Sequence, residues 1–419
     1  MLLTVNFPKT ERREFKPLSN TEWGRFAFWL RDHELSPERL LEGDVPNMLR
    51  GMDDPKIPIE RIQSLLGRGA ALGLSLEKWE RAGLWAITRA DKEYPERIKR
   101  RLRAMSPPVL FGCGNKALLN KGGLAVVGSR NASEADLDFT RWLGQRTAAS
   151  GLSIVSGGAR GVDQAAMEGT LDADGTGVAI LGNSLLRTSS SVACRAAIRR
   201  GDLVLVSPFN PEAGFSVGNA MGRNKYLYCL ADAGVVVSST PKKGGTWSGA
   251  TEALKHRWVP IWVKPNPPDG SGNPFLVELG ARWLPHEIGP IQYLVTDQIG
   301  AGEVRSTEQE PTENKGGERP AERKKQTKKN EGALEGEAKS THVSSDAYDE
   351  FISQFLEIAN SGALKEAEVV EQLVLEKKKV KEWLKRGVEE GVISKLRRPV
   401  KYDIAPKESI QPSFFDAEP

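Results

Sequence analysis

Six short runs of aliphatic and β-branched residues recur through the middle of this chain. The runs are LAVVGS (124–129), LSIVSG (152–157), TGVAIL (176–181), LVLVSP (203–208), AGVVVS (233–238) and VPIWV (259–263). The segments between them are long enough to hold helices. Nearly continuous apolar strands that alternate with helices are typical of a parallel sheet covered on both faces. We therefore predict an α/β fold, with a Rossmann-like doubly wound parallel sheet over residues 116–295.

The rest of the 419-residue chain divides into three regions of different composition. Residues 1–115 lack strand alternation and contain patterns such as TEWGRFAFWLRDHEL, which predict a helical N-terminal domain. Residues 296–344 are polar and have almost no aromatic or branched apolar side chains. Such a segment cannot bury enough surface to offset the entropy of ordering, so it is predicted to be a disordered charged linker.

Residues 345–405 carry three short helical patterns, with Ser345 or Asp346 as the expected N-cap, followed by ISKLRRPVKYDI. Three helices and a two-stranded wing make a winged-helix pattern. Its cations fall on the last helix of that pattern, the recognition helix, and on the wing. They are Lys377, Lys378, Lys379, Lys381, Lys385 and Arg386 on the helix, and Arg397, Arg398 and Lys401 on the wing. Contact with duplex DNA and contact with a protein are equally open interpretations.

Composition excludes several classes of protein. No window of about 18 uncharged apolar residues is present, so no membrane span is expected. The three cysteines are widely spaced and odd in number, which fits neither a disulfide framework nor a zinc site and indicates a reducing cytoplasm. The four histidines lie far apart, and the formal charge of +4 is nearly balanced. No metal or cofactor is expected.

Three glycine-rich loops follow strands of the central region. They are Gly128-Ser129-Arg130-Asn131, then Ser156-Gly157-Gly158-Ala159-Arg160-Gly161, and the run from Lys242 to Gly249 that reads KKGGTWSG. Ligands of open α/β sheets bind outside the carboxyl ends of the strands. Backbone N–H groups at a helix N-terminus suit anions there. The three loops together predict a phosphate-binding surface, although glycines at any single turn are as well explained by tight packing.

None of these loops has the frame of a nucleotide fingerprint. The glycines at 157, 158 and 161 do not fit G-x-G-x-x-G, and the run at 243–246 does not fit G-x-x-x-x-G-K-[ST]. No G-x-S-x-G elbow and no paired acid and base stand out. Asp163 is expected to cap or pin the turn from the second loop into the next helix. The pattern therefore indicates binding rather than catalysis.

A fourth segment, NAMGRNKYLYCLADAG, adds cations to this surface. Arg223, Asn224 and Lys225 precede an apolar helical run and are expected to contact backbone phosphates. Tyr226 or Tyr228 is available to stack on bases. The alternative is that Arg223 and Lys225 are merely solvated side chains.

In this order and spacing, the motifs resemble the DprA/Smf family of DNA-processing proteins. The residues that carry the likeness are LAVVGSRNAS, IVSGGARGVDQAAMEGTL, GVAILGNSL, GRNKYLYCLADAGVVVSS and GGTWSGATEALKHRWVPIWVKP, and the likeness extends over roughly residues 85–285. The chain departs from the family pattern in ILGNSLLRTSSSVACRAAI, at Trp247 and in FSVGNAMGRN, as a divergent member would.

The resemblance implies a non-enzymatic protein that binds single-stranded DNA, acts as a homodimer and helps to load a RecA-type recombinase in recombination or DNA uptake. It assigns the DNA contacts to residues of four motifs. These are Gly128, Ser129, Arg130, Ser156, Gly157, Gly158, Arg160, Gly161, Arg223, Asn224, Lys225 and Lys243. Arg130, Arg160 and Lys225 would hold phosphates, assisted by the backbone amides of the glycines.

Two other functions stay open from the sequence. One is a sensor of DNA or nucleotides in phage defence or regulation, with the winged helix as effector. The other is a phosphoribohydrolase of the LOG type, whose P-G-G-x-G-T-x-x-E motif is faintly similar to GGTWSGATEAL; the proline and the Thr-x-x-Glu spacing are absent here.

Overall fold

The computed structural model describes residues 1–7 and 15–296 and parts of the C-terminal region. The C-terminal parts are 351–352, 354–355, 358–359, 364–373, 375–389, 393–397 and 400–404. The predicted linker from 297 onward, the N-cap candidates Ser345 and Asp346, and Arg398 lie outside these residues. None of the helices in the described parts is long and apolar enough to cross a membrane.

The described elements alternate between helix and strand from residue 85 onward. The helices are α1 (Asn20–Asp32), α2 (Val45–Met48), α3 (Ile59–Leu66), α4 (Gly69–Arg81), α5 (Glu96–Leu102), α6 (Leu118–Lys121), α7 (Glu134–Ala149), α8 (Val162–Leu171), α9 (Leu185–Ser189), α10 (Val192–Arg200), α11 (Val217–Gly222), α12 (Asn224–Leu230), α13 (Gly244–His256), α14 (Asn273–Glu278), α15 (Gln292–Thr296), α16 (Glu366–Leu373) and α17 (Lys377–Glu389). The strands are β1 (Trp85–Thr88), β2 (Val109–Gly114), β3 (Leu124–Val127), β4 (Ser153–Ser156), β5 (Thr176–Ile180), β6 (Leu203–Ser207), β7 (Ala233–Val236), β8 (Ile261–Val263), β9 (Arg282–Trp283), β10 (Ile393–Arg397) and β11 (Val400–Ile404).

Nine of the strands form one sheet in the order β1-β2-β6-β5-β4-β3-β7-β8-β9. The pairs from β6 through β9 are parallel. The chain order runs outward from β3 in one direction to β6 and then reverses, so that β7 pairs with the other side of β3. This reversal is the switch point at which open α/β sheets form a crevice. The predicted Rossmann-like sheet is confirmed.

Successive residues of each central strand face opposite layers of the core, as the period of a strand requires. In β3, Leu124 and Val126 pack into one apolar cluster and Ala125 and Val127 into another. Residues of α7, α8 and α10 cover the first face, and residues of α5, α12 and α13 cover the second. Both faces are buried, which explains why the strands read as continuous apolar runs.

The N-terminal prediction is wrong for residues 85–114. β1 and β2 lie there, and they extend the sheet by antiparallel pairing, β1 with β2 and β2 with β6. β1 is a half-buried four-residue strand and β2 contains two glycines, so neither has the apolar run or the strand–helix alternation that identified the other strands. The helical unit therefore ends near α4, and we propose that the sheet domain begins near residue 85.

The helical unit has an apolar cluster of its own, built mainly from α1, α3 and the segments between them. Ser19 and Glu22 form a capping box at the start of α1, and the Arg61 guanidinium donates to Glu22 at 3.0 Å. The Asn20 side chain contacts the Tyr226 hydroxyl at 3.4 Å, which joins this unit to the sheet domain.

In the C-terminal region, α16 and α17 precede an antiparallel pair of strands, β10 and β11. Val380, Trp383 and Leu384 of α17 are buried in the apolar cluster of this region. Lys379, Lys381 and Lys385 are exposed. Two helices and a hairpin agree with the predicted pattern, and the winged-helix assignment itself stays a prediction.

Candidate functional site

The loops after β3, β4 and β7 meet at the carboxyl edge of the sheet, at the switch point. Together with the segment between α11 and α12 they form what we call the loop surface: residues 128–130, 156–161, 223–225 and 242–246. Bonded residues of these segments lie up to 118 positions apart in the chain, and each segment is bonded to or packed against another. The sequence motifs are thus brought together in space.

The first and third loops are joined by hydrogen bonds across the switch point. The Thr246 hydroxyl donates to the Gly128 carbonyl at 2.9 Å. The Ser129 N–H donates to the Ser238 hydroxyl at 3.2 Å. These two bonds fix the loop after β3 against the N-terminus of α13.

The first and second loops touch through glycines. A Cβ at Gly128 would lie 2.5 Å from a Val162 methyl, and a Cβ at Gly161 would lie 2.5 Å from the Ser129 carbonyl oxygen. Gly161 also has φ +85°, a conformation that favours glycine. The Val162 N–H donates to the Ser129 carbonyl at 3.3 Å. These glycines are required by close packing between loops.

A buried ion pair lies beneath the second loop. The Arg223 guanidinium donates to the Asp163 carboxylate at 3.2 Å and to the Ile180 carbonyl at 3.0 Å. It lies so close to Gly157 that an added Cβ would be 1.1 Å from its Nη1. The backbone N–H of Ala159 also favours the charged form of the Asp163 carboxyl and so lowers its pKa. Asp163 therefore pins the loop, as predicted.

Burial dominates the electrostatics of this pair. It raises the pKa of the Asp163 carboxyl, and the charges of Arg223 and Arg130 oppose the rise. It also lowers the pKa of the Arg223 guanidinium, and Asp163 opposes that fall. Buried pairs recover their desolvation cost only with good geometry and further hydrogen bonds. The contacts with Ile180 and Ala159 supply those bonds.

The predicted DNA contacts separate into two groups by exposure. Arg130, Arg160 and Lys243 are exposed, and Ser129, Gly161, Asn224 and Lys225 are partly exposed. Ser156, Gly157, Gly158 and Arg223 are buried. Gly128 is partly exposed and Thr246 covers its carbonyl. The surface thus presents cations from three loops and from the start of α12.

Two predicted contacts, Ser156 and Arg223, do not present their side chains to solvent. The Ser156 hydroxyl donates to the Val126 carbonyl at 2.8 Å, inside the sheet. Arg223 is 6% exposed, and its guanidinium donates hydrogen bonds to the Asp163 carboxylate and the Ile180 carbonyl. The expectation that Arg223 reaches a phosphate, and the alternative that it is solvated, are both corrected: it supports the second loop from below.

The proposed stacking role of Tyr226 and Tyr228 is wrong. Both are buried in the second core cluster, at 4% and 1% exposure. Burial raises the pKa of both phenols. They follow Lys225 on an almost entirely buried helix, so their rings pack under the sheet edge instead of facing a base.

Three long helices begin at this edge, and their first turns differ in charge. The first turn of α7 carries Glu134 and Asp136, and that of α8 carries the buried Asp163. That of α13 carries no acidic residue and has Lys243 as its N-cap. A helix N-terminus without acid, beside cations, is the most favourable place for an anion. Lys242, also exposed, adds a second cation there.

Phe215 and Ser238 were likewise missed. The Arg130 guanidinium lies 6.0 Å from the centroid of the Phe215 ring, and Ser238 holds the loop that carries Arg130. The polar run after the AGVVV strand was a signal for Ser238. Nothing in the sequence signalled Phe215, which lies 85 positions from Arg130 in the chain.

Comparison with known proteins finds relatives of the central part of this chain. Residues 85–291 match the family model described as DNA recombination-mediator protein A. Through these residues the chain belongs to the DprA/Smf family. The resemblance read from the motifs is confirmed. The family is one of non-enzymatic DNA-processing and DNA-binding proteins, and a non-enzymatic function stays a prediction for this chain.

Individual relatives cover different shares of the chain. Protein Smf of Escherichia coli (strain K12) is 30% identical over 180 residues, which are 42% of this chain and 48% of that protein. DNA processing protein DprA of Bacillus subtilis (strain 168) is 26% identical over 239 residues, 56% of this chain and 72% of that protein. This chain therefore spans about half the length of the Smf protein.

Among solved structures, the chain is similar to DNA processing protein A of Helicobacter pylori, with a TM-score of 0.42 and 24% identity. The similarity covers 52% of this chain and 98% of that one. That structure concerns the single-stranded DNA binding mode of the Helicobacter protein.

Proposed function

We propose that this protein binds single-stranded DNA through the loop surface and acts in the cytoplasm as a DNA-processing protein. The observation that carries the proposal is the row of cations from separate loops, Arg130, Arg160, Lys225 and Lys243, at an edge where an acid-free helix also begins. Family membership supports a DNA ligand over a nucleotide.

The chemistry of the surface fits a polymer's phosphates. Its cations project from several loops instead of converging on one glycine cradle. The buried tyrosines leave the described loop surface without an aromatic stacking platform, so phosphate contacts are expected to supply most of the affinity. Binding should therefore weaken steeply with salt and vary little with sequence.

Arg130→Ala is the decisive substitution, and Arg31→Ala is its matched control. Both are arginines that lie over a phenylalanine ring, Arg130 over Phe215 and Arg31 over Phe28 at 4.4 Å, but Arg31 lies on the helical unit. We expect Arg130→Ala to weaken binding about five- to tenfold and to lower the salt slope by about 0.7, the value for one single-strand phosphate. Arg31→Ala should leave both unchanged.

The measurement is fluorescence anisotropy on a labelled oligonucleotide, single-stranded and duplex, at two salt concentrations. If Arg130→Ala and the parent chain bound the single strand with equal affinity, the loop surface would not be the DNA-binding site. Failure of the parent chain to bind a single strand would remove the function itself, and preference for a nucleotide would favour the sensor alternative.

We further propose that the chain acts as a homodimer and helps to load a RecA-type recombinase, in recombination or DNA uptake. Both are implied by the family and rest on no contact in this structure. Sedimentation velocity should give a dimer, and recombinase filament assembly on protein-coated single strands should accelerate when the protein is added. A monomer, or an unchanged assembly rate, would contradict the respective part.

We also propose that residues 345–405 form a winged helix joined to the sheet domain by a linker over 296–344. The helices α16 and α17 and the hairpin β10–β11 support this assignment. Deletion of residues 341–405 should reduce duplex binding more than single-strand binding if the wing contacts DNA. Unchanged duplex binding would favour a protein contact. The phosphoribohydrolase alternative is not proposed, because the family is non-enzymatic.

A further inference from the structure

The C-terminal helices and strands share an apolar cluster with the sheet domain. Phe215 and Val217, which precede and begin α11, pack against the buried side chains of that cluster. Those side chains belong to what we call the C-terminal module, the described residues between 351 and 404. They are Phe351, Ile352, Phe355, Ala359, Val369, Val380, Trp383, Leu384, Ile393 and Tyr402.

The same two residues adjoin the loop surface. The Phe215 ring lies under the Arg130 guanidinium, 6.0 Å from ring centroid to Cζ. Val217 begins α11, and the residue after that helix is Arg223, which supports the second loop. α11 is itself fixed at the edge of the sheet, because a Cβ at Gly182 would lie 3.1 Å from the Ala220 Cα.

We propose that Phe215 and Val217 are a docking surface for the C-terminal module of the same chain, and that docking orients Arg130 through the Phe215 ring. A guanidinium that rests with one face on an aromatic ring keeps its in-plane N–H donors for a phosphate. The docked module holds the ring in place, and the ring limits the directions in which Arg130 can point.

The proposed docking depends on the apolar contact alone, whereas the proposed orientation of Arg130 also rests on the proposed DNA binding. The contact falls in FSVGNAMGRN, one of the segments in which the chain departs from the family pattern. The occupant is the chain's own module, because its cluster already includes these two residues.

Val217→Asp tests docking, because it places a charge in an apolar contact without touching Arg130. Val192→Asp, at an exposed position on α10, is the control for the added charge. Hydrogen exchange of the full-length chain should rise across 351–404 and 215–222 in Val217→Asp and not in Val192→Asp. Unchanged exchange in Val217→Asp would overturn docking. Exchange that depends on protein concentration would assign the contact to a second copy and overturn the same-chain proposal.

Phe215→Leu tests orientation, because it keeps an apolar side chain and removes the ring. We expect it and Val217→Asp each to weaken single-strand affinity about two- to fourfold, as the loss of one exposed cation–π contact would. In an Arg130→Ala background neither should have an effect. Persistence of the effect without Arg130, or a gain in affinity in either variant, would overturn the orienting role.

Hydrogen exchange and single-strand affinity distinguish a failure of docking from a failure of the proposed function. If the parent chain bound no single-stranded DNA, the function and the orienting role would fail together, and hydrogen exchange would still decide docking.

Discussion

The loop surface and α17 both carry exposed cations, but they hold them differently. At the loop surface the cations lie on several segments that are bonded to one another. On α17, the exposed side of a single helix carries Lys379, Lys381 and Lys385. Both regions are basic in sequence. The loop surface has a buried ion pair beneath it and hydrogen bonds between its loops. α17 has an apolar side that packs and a charged side that faces solvent. The cations of the loop surface thus lie on several segments that are bonded to one another, whereas those of α17 lie on one helix.

This comparison predicts that damage beneath the loop surface has far larger effects than the loss of charge from α17. Fixed cations can be matched to a ligand in advance, which reduces the entropy lost on binding. Exposed lysines on one helix attract a polyanion through charge, and this attraction does not depend on the sequence of the polyanion.

The largest effect is expected from Asp163→Ala. It leaves the Arg223 guanidinium buried without its carboxylate, which should lower the free energy of unfolding by about 3–5 kcal/mol. The measurement is urea denaturation followed by circular dichroism. Adding Arg223→Met to the same chain should recover part of the loss, because the unpaired charge is then gone. A loss below about 1 kcal/mol would mean that the pair is not buried in solution.

A smaller effect is expected from Gly157→Ala. The new Cβ would collide with the Arg223 guanidinium, which is enclosed and cannot swing away, so overpacking should cost about 1–3 kcal/mol. Because the loop must shift, single-strand affinity should also fall, by about tenfold or 1.4 kcal/mol. Gly214→Ala is the control, since a Cβ there meets nothing within 4 Å. Equal stability and affinity of the two variants would contradict the close approach.

The smallest effect is expected from Lys379→Ala combined with Lys381→Ala. Loss of two exposed charges should weaken binding uniformly across DNA sequences by no more than about threefold, with a lower salt slope and unchanged stability. Titrations at two salt concentrations measure it. A loss of affinity larger than that of Arg130→Ala would mean that the main DNA-binding site lies on α17.

The sequence was informative where a local pattern carries the structure. Continuous apolar strands and the glycine turns after them predicted the parallel sheet and the edge at which the loops meet. Arg130, Arg160 and Lys243 were predicted as surface cations and are exposed. Their contact with DNA remains a prediction.

The failures concern partners that are distant in the chain. Arg223 and Lys225 both read as cations at a helix start, and only the tertiary structure brings the Asp163 carboxylate to Arg223, 60 residues away. Tyr226 and Tyr228 looked available for stacking because the sequence does not state which side of α12 is covered. β1 and β2 were missed because short antiparallel strands at the edge of a parallel sheet lack the strand–helix period.

The reversal of strand order also determines when the loop surface can form during synthesis. Leu124 of β3 pairs with Ala233 of β7, and the Asp163 carboxylate pairs with the guanidinium of Arg223, which is synthesised later. Long-range pairings of this kind are slow to close, because the loop between them must be ordered first. The first two glycine loops leave the ribosome well before the guanidinium that supports them. We therefore expect that a nascent chain cannot bind DNA until β7 has joined the sheet. Synthesis of the chain and its proposed DNA binding would then be separated in time.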